Sequence, residues 1–471
     1  MSKEPRIEEK KRVSLPHIFV LLFFIVLLCS VLTWIIPAGE FDRIETESGS
    51  SLVVPGTWHR VDTSPVGPFE FFQSFFNGMV SGSEIAFFVF IAFASVSFII
   101  KSGAFDGLVV FLMKVFKGKS SVIIIPAFMI LIGLGSSTVG MFEEWLPFIP
   151  IFAAIFIGIG YDAIVGVAGI GLGAGMGYSG AVMNPFTVGV AQGIAGVDYM
   201  SGAGFRILCH IAMLIVGAGL TMRYALKVKE DPTKSLVYGD DFSMLRGADS
   251  GSTSEREFGL TQKLVLLDLL AAIIVIIVGV KVRGWYFPEI SAVMLIMGII
   301  AAIIMRDKLN DIGEGFAKGF EGACTSAMMV GIARATLIVL QSGNIIDTVV
   351  YGLSVPLSHL PGWLSAIAML IMQTVLNFFI PSGSGQAAVS MPIMAPMSDL
   401  LGITRDISVL AYQFGDGLSN IVWPTGFAAI VTGLAGIKLE KWWKFIFPIF
   451  FALIGVQAIM LVIAVFTGFG A

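Results

Sequence analysis

Apolar residues in this chain come in long runs, not in the alternation of a strand or the narrow stripe of a soluble helix. Leu15 to Ile36 runs for 22 residues without a charge, against the roughly 20 that cross a bilayer core. Further spans are predicted at about 83–101, 203–226, 263–283, 286–306, 320–343 and 442–468. Polar sequence follows the first span, from Gly39 to Gly67, and a second polar segment, 227–262, separates two hydrophobic halves. This pattern predicts an all-α polytopic membrane protein.

Two apolar stretches are about twice the length of one span. Residues 120–161 are cut near their middle by Gly133-Leu-Gly135-Ser136-Ser137-Thr138-Val-Gly140, and 361–401 are cut by Pro381-Ser382-Gly383-Ser384-Gly385. Each reads as a re-entrant helical hairpin with its tip inside the membrane. Segments 163–197 and 407–437 are too rich in helix breakers for one continuous span. The first has seven glycines between Gly166 and Gly180, then Asn184-Pro185; the second has Gly415-Asp416-Gly417, then Asn420 and Pro424. Backbone groups freed in lipid cost several kcal/mol each unless protein or a cavity satisfies them. Four such interruptions predict a polar site at membrane depth.

The halves match each other weakly but in order. Ser102-Gly103 and Ser342-Gly343 lie 240 positions apart, as do Ile194-Ala-Gly196 and Leu434-Ala-Gly436. Pro185 and Pro424 are 239 apart, and Gly158 and Gly402 are 244 apart. An odd number of crossings between the copies turns the second upside down. The expected organisation is a first inverted repeat with an N-terminal cytoplasmic head (1–226), a cytoplasmic linker (227–262), and a linking span with the second repeat (263–471). Inverted repeats with broken helices near the midplane are the sequence mark of secondary transporters. A channel or a glycine-rich membrane scaffold is the alternative of another class, since small residues also serve plain helix packing.

Charge gives orientation. Charged residues are 13% of the chain and hydrophobic ones 56%, against about 25% charge in soluble proteins. Lys10-Lys11-Arg12 and the linker's Lys227, Lys229, Lys234, Arg246 and Arg256 place both segments in the cytoplasm. Lys101, Lys114, Lys117 and Lys119 do the same for the entry to the first hairpin, and the count of spans puts the C-terminus outside. A net charge of −4 gives no basic face for nucleic acid. Cys29, Cys209 and Cys324 form neither a disulfide framework nor a metal set.

Ionisable groups inside spans are costly and mark function by default. The deep ones are Glu143, Glu144 and Asp416 against the single base Arg334. An excess of buried carboxylate calls for a proton or a bound cation, which favours a cationic or amino-acid substrate over a plain dicarboxylate. Arg334 serves either as an internal partner of a glutamate or as an anion ligand. Ser136, Ser137 and Thr138 at one tip, and Ser382, Ser384 and Gln386 at the other, are suited to holding a carboxylate with hydroxyls and helix N–H groups; capping the helices alone is the other reading. Asn184 and Asn420 offer amides at the two breaks. Gly175-Met-Gly177-Tyr-Ser-Gly180 fits a dinucleotide fingerprint only in letters, because no strand precedes it. With no P-loop, metal cluster or Ser/His/Asp grouping, the expectation is a carrier without enzymatic activity or cofactor, with Na⁺ or H⁺ as a possible coupling ion.

Gly140-Met-Phe-Glu143-Glu144 with Pro147, Asn184-Pro-Phe-Thr-Val-Gly-Val-Ala-Gln-Gly-Ile-Ala-Gly196, Ile380-Pro-Ser-Gly-Ser-Gly-Gln386, Met391-Pro-Ile-Met-Ala-Pro396 and Gln413-Phe-Gly-Asp416-Gly carry a resemblance over nearly the whole chain. They resemble the YfcC family of basic amino-acid antiporters, grouped with C4-dicarboxylate carriers in the ion transporter superfamily. The resemblance implies an elevator-type carrier in a bacterial inner membrane, often a homodimer joined through its scaffolds. It implies exchange of arginine- or ornithine-like substrates, with a Na⁺- or H⁺-coupled C4-dicarboxylate or other carboxylate carrier as the rival. The superfamily's Ser-Asn-Thr sodium motif is only approximated by Ser136-Ser137-Thr138. Glu143 or Glu144 and Asp416 are then expected to receive the cationic side chain.

Overall fold

A computed structural model describes residues 16–45, 51–54, 56–104, 118–138, 140–245 and 259–470. Lys10 to Arg12, Lys114, Lys117 and the linker basics Arg246 and Arg256 lie outside these residues. The chain begins with helix α1 (Ile18–Ile35), followed by two small antiparallel strand pairs: β1 (Gly39–Glu40), β2 (Arg43–Glu45), β3 (Ser51–Val53) and β4 (His59–Arg60), with β1 on β4 and β2 on β3. Asp347 anchors this polar cap, accepting both Arg43 Nη2 at 2.8 Å and the Phe41 amide at 3.0 Å.

Helix α2 (Pro68–Ser81) has no counterpart among the expected spans. It starts on a proline at its first position, where no N–H is needed, and meets α3 (Ser83–Lys101) at Gly82. Then come α4 (Ile124–Thr138), a 3-10 turn at Glu143–Phe148, α5 (Ile149–Gly158), α6 (Ala163–Ser179), α7 (Val188–Ala195) and α8 (Ala203–Glu230). The second half holds α9 (Leu260–Arg283), α10 (Phe287–Ile304), α11 (Leu309–Ser342), α12 (Ile346–Ser354), α13 (Gly362–Phe379), α14 (Gly383–Leu400), α15 (Arg405–Ser419), α16 (Phe427–Leu434) and α17 (Leu439–Thr467). Among the described residues, eight helices are long and apolar enough to cross a membrane.

Two packing groups emerge. In one, α11, about 50 Å long at 1.5 Å per residue, lies along α2 and α3, with α1 and α10 beside them. In the other, α4 and α5 both pack on α6, and α13 and α14 both pack on α15; α6 and α15 pack on each other, with α8 and α17 outside. The order of paired arms, interrupted helix and long helix occurs twice along the chain.

The helix breakers sit differently from expectation. α4 runs through Gly133 to Thr138, so the first tip turns at 140–142, later than the glycines implied. All but the last of the seven glycines between Gly166 and Gly180 lie within intact α6, and Gly415-Asp416-Gly417 lie within intact α15. Close packing explains both. A Cβ on Gly166 would stand 2.6 Å from the Ala153 Cα, one on Gly415 2.6 Å from Gln373 Cβ, and one on Gly417 would collide with the Ser179 backbone. The true breaks are 180–187 and 420–426, the segments with Asn184-Pro185 and Asn420…Pro424.

The linker is shorter than the polar composition implied, because α8 extends to Glu230. Its described part is tied down: Lys441 Nζ reaches Asp240 at 2.7 Å, and Asp162, the N-cap of α6, accepts hydroxyls from Tyr224 at 2.6 Å and Ser235 at 2.7 Å.

Candidate functional site

The two tips and the two breaks meet. At the first tip Gly140 adopts φ +83°, a left-handed turn open to glycine, and a Cβ there would stand 2.5 Å from Asn184 Oδ1. The tip therefore rests on the first break. Glu143 and Glu144 follow immediately in the 3-10 turn. Glu144 is buried and folds back, its Oε2 accepting the Phe142 amide at 2.9 Å. Glu143 is half-buried, and its carboxylate interacts with its own backbone amide and with the charge of Arg334.

At the second tip, Ile380 to Ser382 turn the chain from α13 into α14. Ser382 is the N-cap, accepting the Gly385 amide at 3.4 Å. The first-turn N–H groups of α14 have no partner in their own helix, and the helix dipole makes this end attractive to anions. Across from the tips, α11 presents Arg334. Its stem passes Gly82, where a Cβ would approach Arg334 Cγ at 3.2 Å, and the α2–α3 junction thus leaves it room. Arg334 acts electrostatically on Glu143, though no carboxylate among the described residues approaches it closely enough for a direct salt bridge.

These groups enclose a cavity of about 120 Å³, lined by Glu143, Glu144, Arg334, Ser382, Ser384, Asn420 and the Tyr178 ring, with Phe142, Phe186, Tyr286 and Phe427 as apolar walls. At roughly 10–15 Å³ of such volume per water, it holds on the order of ten waters or one small polar solute. Phe142 lies against both Tyr178 and Phe427, with ring centroids 5.1 and 4.3 Å apart. Two carboxylates and one guanidinium therefore face a space whose floor is a helix N-terminus.

Six expected site residues lie outside the wall. Ser137 is spent on the first break, its hydroxyl donating to Gly180 O at 3.3 Å and accepting the Val182 amide at 3.2 Å. Thr138 donates to Leu134 O at 2.6 Å within its helix, and Ser136 likewise bonds Met141 O. The Gln386 amide is held by Gln373, at 2.6 Å to Oε1. Asn184 is fully buried behind the first tip, accepting the Phe186 amide at 2.9 Å. Asp416 sits behind the second tip, 1% exposed. The expected excess of three acids over one base at the cavity thus becomes two over one.

Asn184 and Asn420 do hold equivalent places. In each break the asparagine carbonyl accepts amides from the start of the following half-helix: Gly189 N to Asn184 O, and Phe427 N to Asn420 O, both at 3.0 Å. The second break also takes side-chain donors, with Trp442 Nε1 on Ile421 O at 2.8 Å and Trp443 Nε1 on Val422 O at 2.9 Å.

Sequence reasoning missed the aromatic wall. Phenylalanines are too common here to stand out, numbering 39, but Tyr178 is one of only eight tyrosines and interrupts a glycine- and alanine-rich helix. It lies within the rejected dinucleotide pattern, which now has a packing explanation: Gly177 seats directly on the Gly133 backbone.

The model of the C4-dicarboxylate anaerobic carrier family, DcuC, matches residues 15–466. A protein of Escherichia coli K12 named "Putative basic amino acid antiporter YfcC" is 32% identical, over 92% of this chain and 93% of that protein. An uncharacterized protein of Haemophilus influenzae Rd is 30% identical, over 97% and 98% of the two chains. Among solved structures, Neisseria gonorrhoeae MtrF, described as one of a class of antimetabolite efflux pumps, superposes with a TM-score of 0.44 at 16% identity over 96% of both chains. The Alcanivorax borkumensis YdaH transporter gives 0.43 at 15% identity over 96% of this chain and 99% of that one.

Proposed function

The chain belongs to the DcuC family of C4-dicarboxylate anaerobic carriers and is by that kinship a membrane transporter; from this premise we propose that it is a secondary carrier exchanging basic amino acids. The observation that carries this reading is the opposition of charge across one small cavity. Glu143 and Glu144 face it from the first tip, and Arg334 and the N-terminus of α14 face it from α11 and the second tip. An amino acid has both signs. Its α-carboxylate meets Arg334 and the α14 amides, with the Ser382 and Ser384 hydroxyls beside them. Its cationic side chain and α-amine meet Glu143 and Glu144, and Asn420 supplies an amide. A ligand of net charge +1 neutralises two carboxylates and one guanidinium.

A second reading has its own support. An arginine facing a helix N-terminus is also a site for one end of a dicarboxylate, and the family bears that substrate's name.

In the transport cycle we assign the tips and interrupted helices to a moving part that slides as an elevator against α1 to α3 and α9 to α11. The repeats, 1–226 and 263–471, are then inverted about the cavity. The N-terminus is cytoplasmic, the C-terminus is outside, and the scaffold helices pair two copies in the inner membrane. Vesicles preloaded with ornithine test the substrate assignment. Labelled arginine should enter only when counter-substrate is inside. Uptake of succinate that arginine does not inhibit would replace this reading with the dicarboxylate one, and a linear, non-saturating flux would make the protein a channel.

A further inference from the structure

Behind the second tip lies a polar spot the cavity does not reach. Asp416 is 1% exposed, and neither of its carboxylate oxygens has a hydrogen-bond partner among the described residues. Its Oδ2 lies 3.2 Å from the point a Gly383 Cβ would occupy, beside the first residue of α14. The Tyr178 hydroxyl lies 3.1 Å from the same point, and the Thr187 hydroxyl nearby is itself buried without a partner among the described residues. A carboxylate stays charged in such a place only at a cost, since it loses its hydration and only the positive end of α14 beside it offsets the loss.

We propose that Asp416 carries a proton in the transport cycle, taking it up when a substrate carboxylate occupies the second tip and giving it back when the tip empties. The proposal rests on the cavity assignment above. The N-terminal turn of α14 is the positive end beside which both groups lie. With the tip empty, ionised Asp416 draws on that end of the helix; with a substrate carboxylate on it, two anions would compete, and Asp416 takes a proton from solvent. Binding and protonation thus reinforce each other, and the coupling is reciprocal.

A sodium ion fits the spot less well, since hard cations want a full shell of oxygens. Neighbouring carbonyls are already engaged: Asp416 O by Asn377 and Asn420, Gly383 O by Tyr412, and Tyr178 O by Gln413. Thr187 turns its methyl toward the tip. The titratable groups acting on Asp416 among the described residues are Tyr178 from α6, Tyr412 from its own helix, and Glu143 from the first tip. The faces of α13, α14 and α17 against α15 bring amides and hydroxyls: Gln373, Asn377, Ser390 and Gln457.

Proton uptake on binding reads this directly, using purified protein in weakly buffered detergent with a pH dye, and ornithine and succinate as separate ligands. Wild type should take up close to one proton per ligand bound, and affinity should fall by up to about tenfold per pH unit as pH rises. Asp416→Asn should take up one proton fewer per ligand bound and lose that share of the pH dependence. Glu143→Gln should bind cationic ligands more weakly yet keep the uptake per ligand bound. No uptake in wild type, uptake unchanged in Asp416→Asn, uptake lost only in Glu143→Gln, or binding that requires Na⁺ would each overturn the proposal. Should Asp416→Asn fail to assemble, infrared difference spectra on ligand addition decide. A protonated-carboxyl C=O band must appear in wild type and shift in Asp416→Glu, and its absence refutes the assignment. Failure of ornithine to bind sinks the amino-acid reading alone, since uptake with succinate still upholds the proton site.

Discussion

Gly383→Ala puts the seating of the second tip under test. The added methyl would stand 2.6 Å from Thr187 Cγ2, 3.1 Å from the Tyr178 hydroxyl and 3.2 Å from Asp416 Oδ2. All three belong to buried, packed elements, so the tip must lift or its neighbours must shift. Overpacking of this kind costs about 1–3 kcal/mol. Alanine returns at most about 1 kcal/mol through helix propensity, and less at a first helical position. The balance is about 1–2 kcal/mol, charged to any state in which the tip is seated. If binding shifts the carrier from an unseated to the seated tip, affinity should fall by roughly 5–30-fold. Equilibrium binding of labelled ligand in detergent measures it, with Gly193→Ala as the control, since a Cβ there meets nothing within 4 Å. An unchanged affinity in Gly383→Ala, with the control also unchanged, would mean that binding does not draw the tip into its seat.

Other outcomes follow from the same geometry. Arg334→Gln should weaken arginine by roughly 10–100-fold, the loss of a charge-assisted bond of about 1.5–3 kcal/mol, but leave agmatine, which lacks the α-carboxylate, nearly unaffected; competition binding separates the two. Gly177→Ala drives a methyl into the Gly133 backbone, and thermal unfolding in detergent should register a loss of about 1–3 kcal/mol. Asp162→Ala removes the N-cap of α6 and the acceptor for Tyr224 and Ser235, and the same assay should show about 2–4 kcal/mol, one part cap and the rest buried hydrogen bonds.

The spans and the interruptions were legible because length and proline are unambiguous in lipid. Pro185 and Pro424 mark the true breaks, and Pro381-Ser382 marks the true second tip. Glycine misled at Gly166 to Gly177 and at Gly415 and Gly417, because the letter is the same whether it frees a backbone or lets two helices touch; only the partner surface distinguishes them. The placement of Asp416 failed for that reason, since its flanking glycines are contact points on Ser179 and Gln373. Glu143 and Arg334 were found because a charge at membrane depth has few innocent explanations. The serines at the first tip were not separable from helix caps and break-fillers, and the structure gives them to the backbone. Helix α2 escaped notice because its phenylalanine-rich sequence is shorter than a span and continues into α3 after a single glycine.

The indoles on the second break have a mechanical consequence. Ile421 O and Val422 O are held by Trp442 and Trp443 from the start of α17, Thr374 O by Trp423, and Phe378 O by Thr425. An unwound stretch is the usual place to look for a hinge, yet flexing here would strip several carbonyls of their donors where no water waits to replace them. The joint with no helix in it is braced by side chains where a helix would be braced by its own backbone.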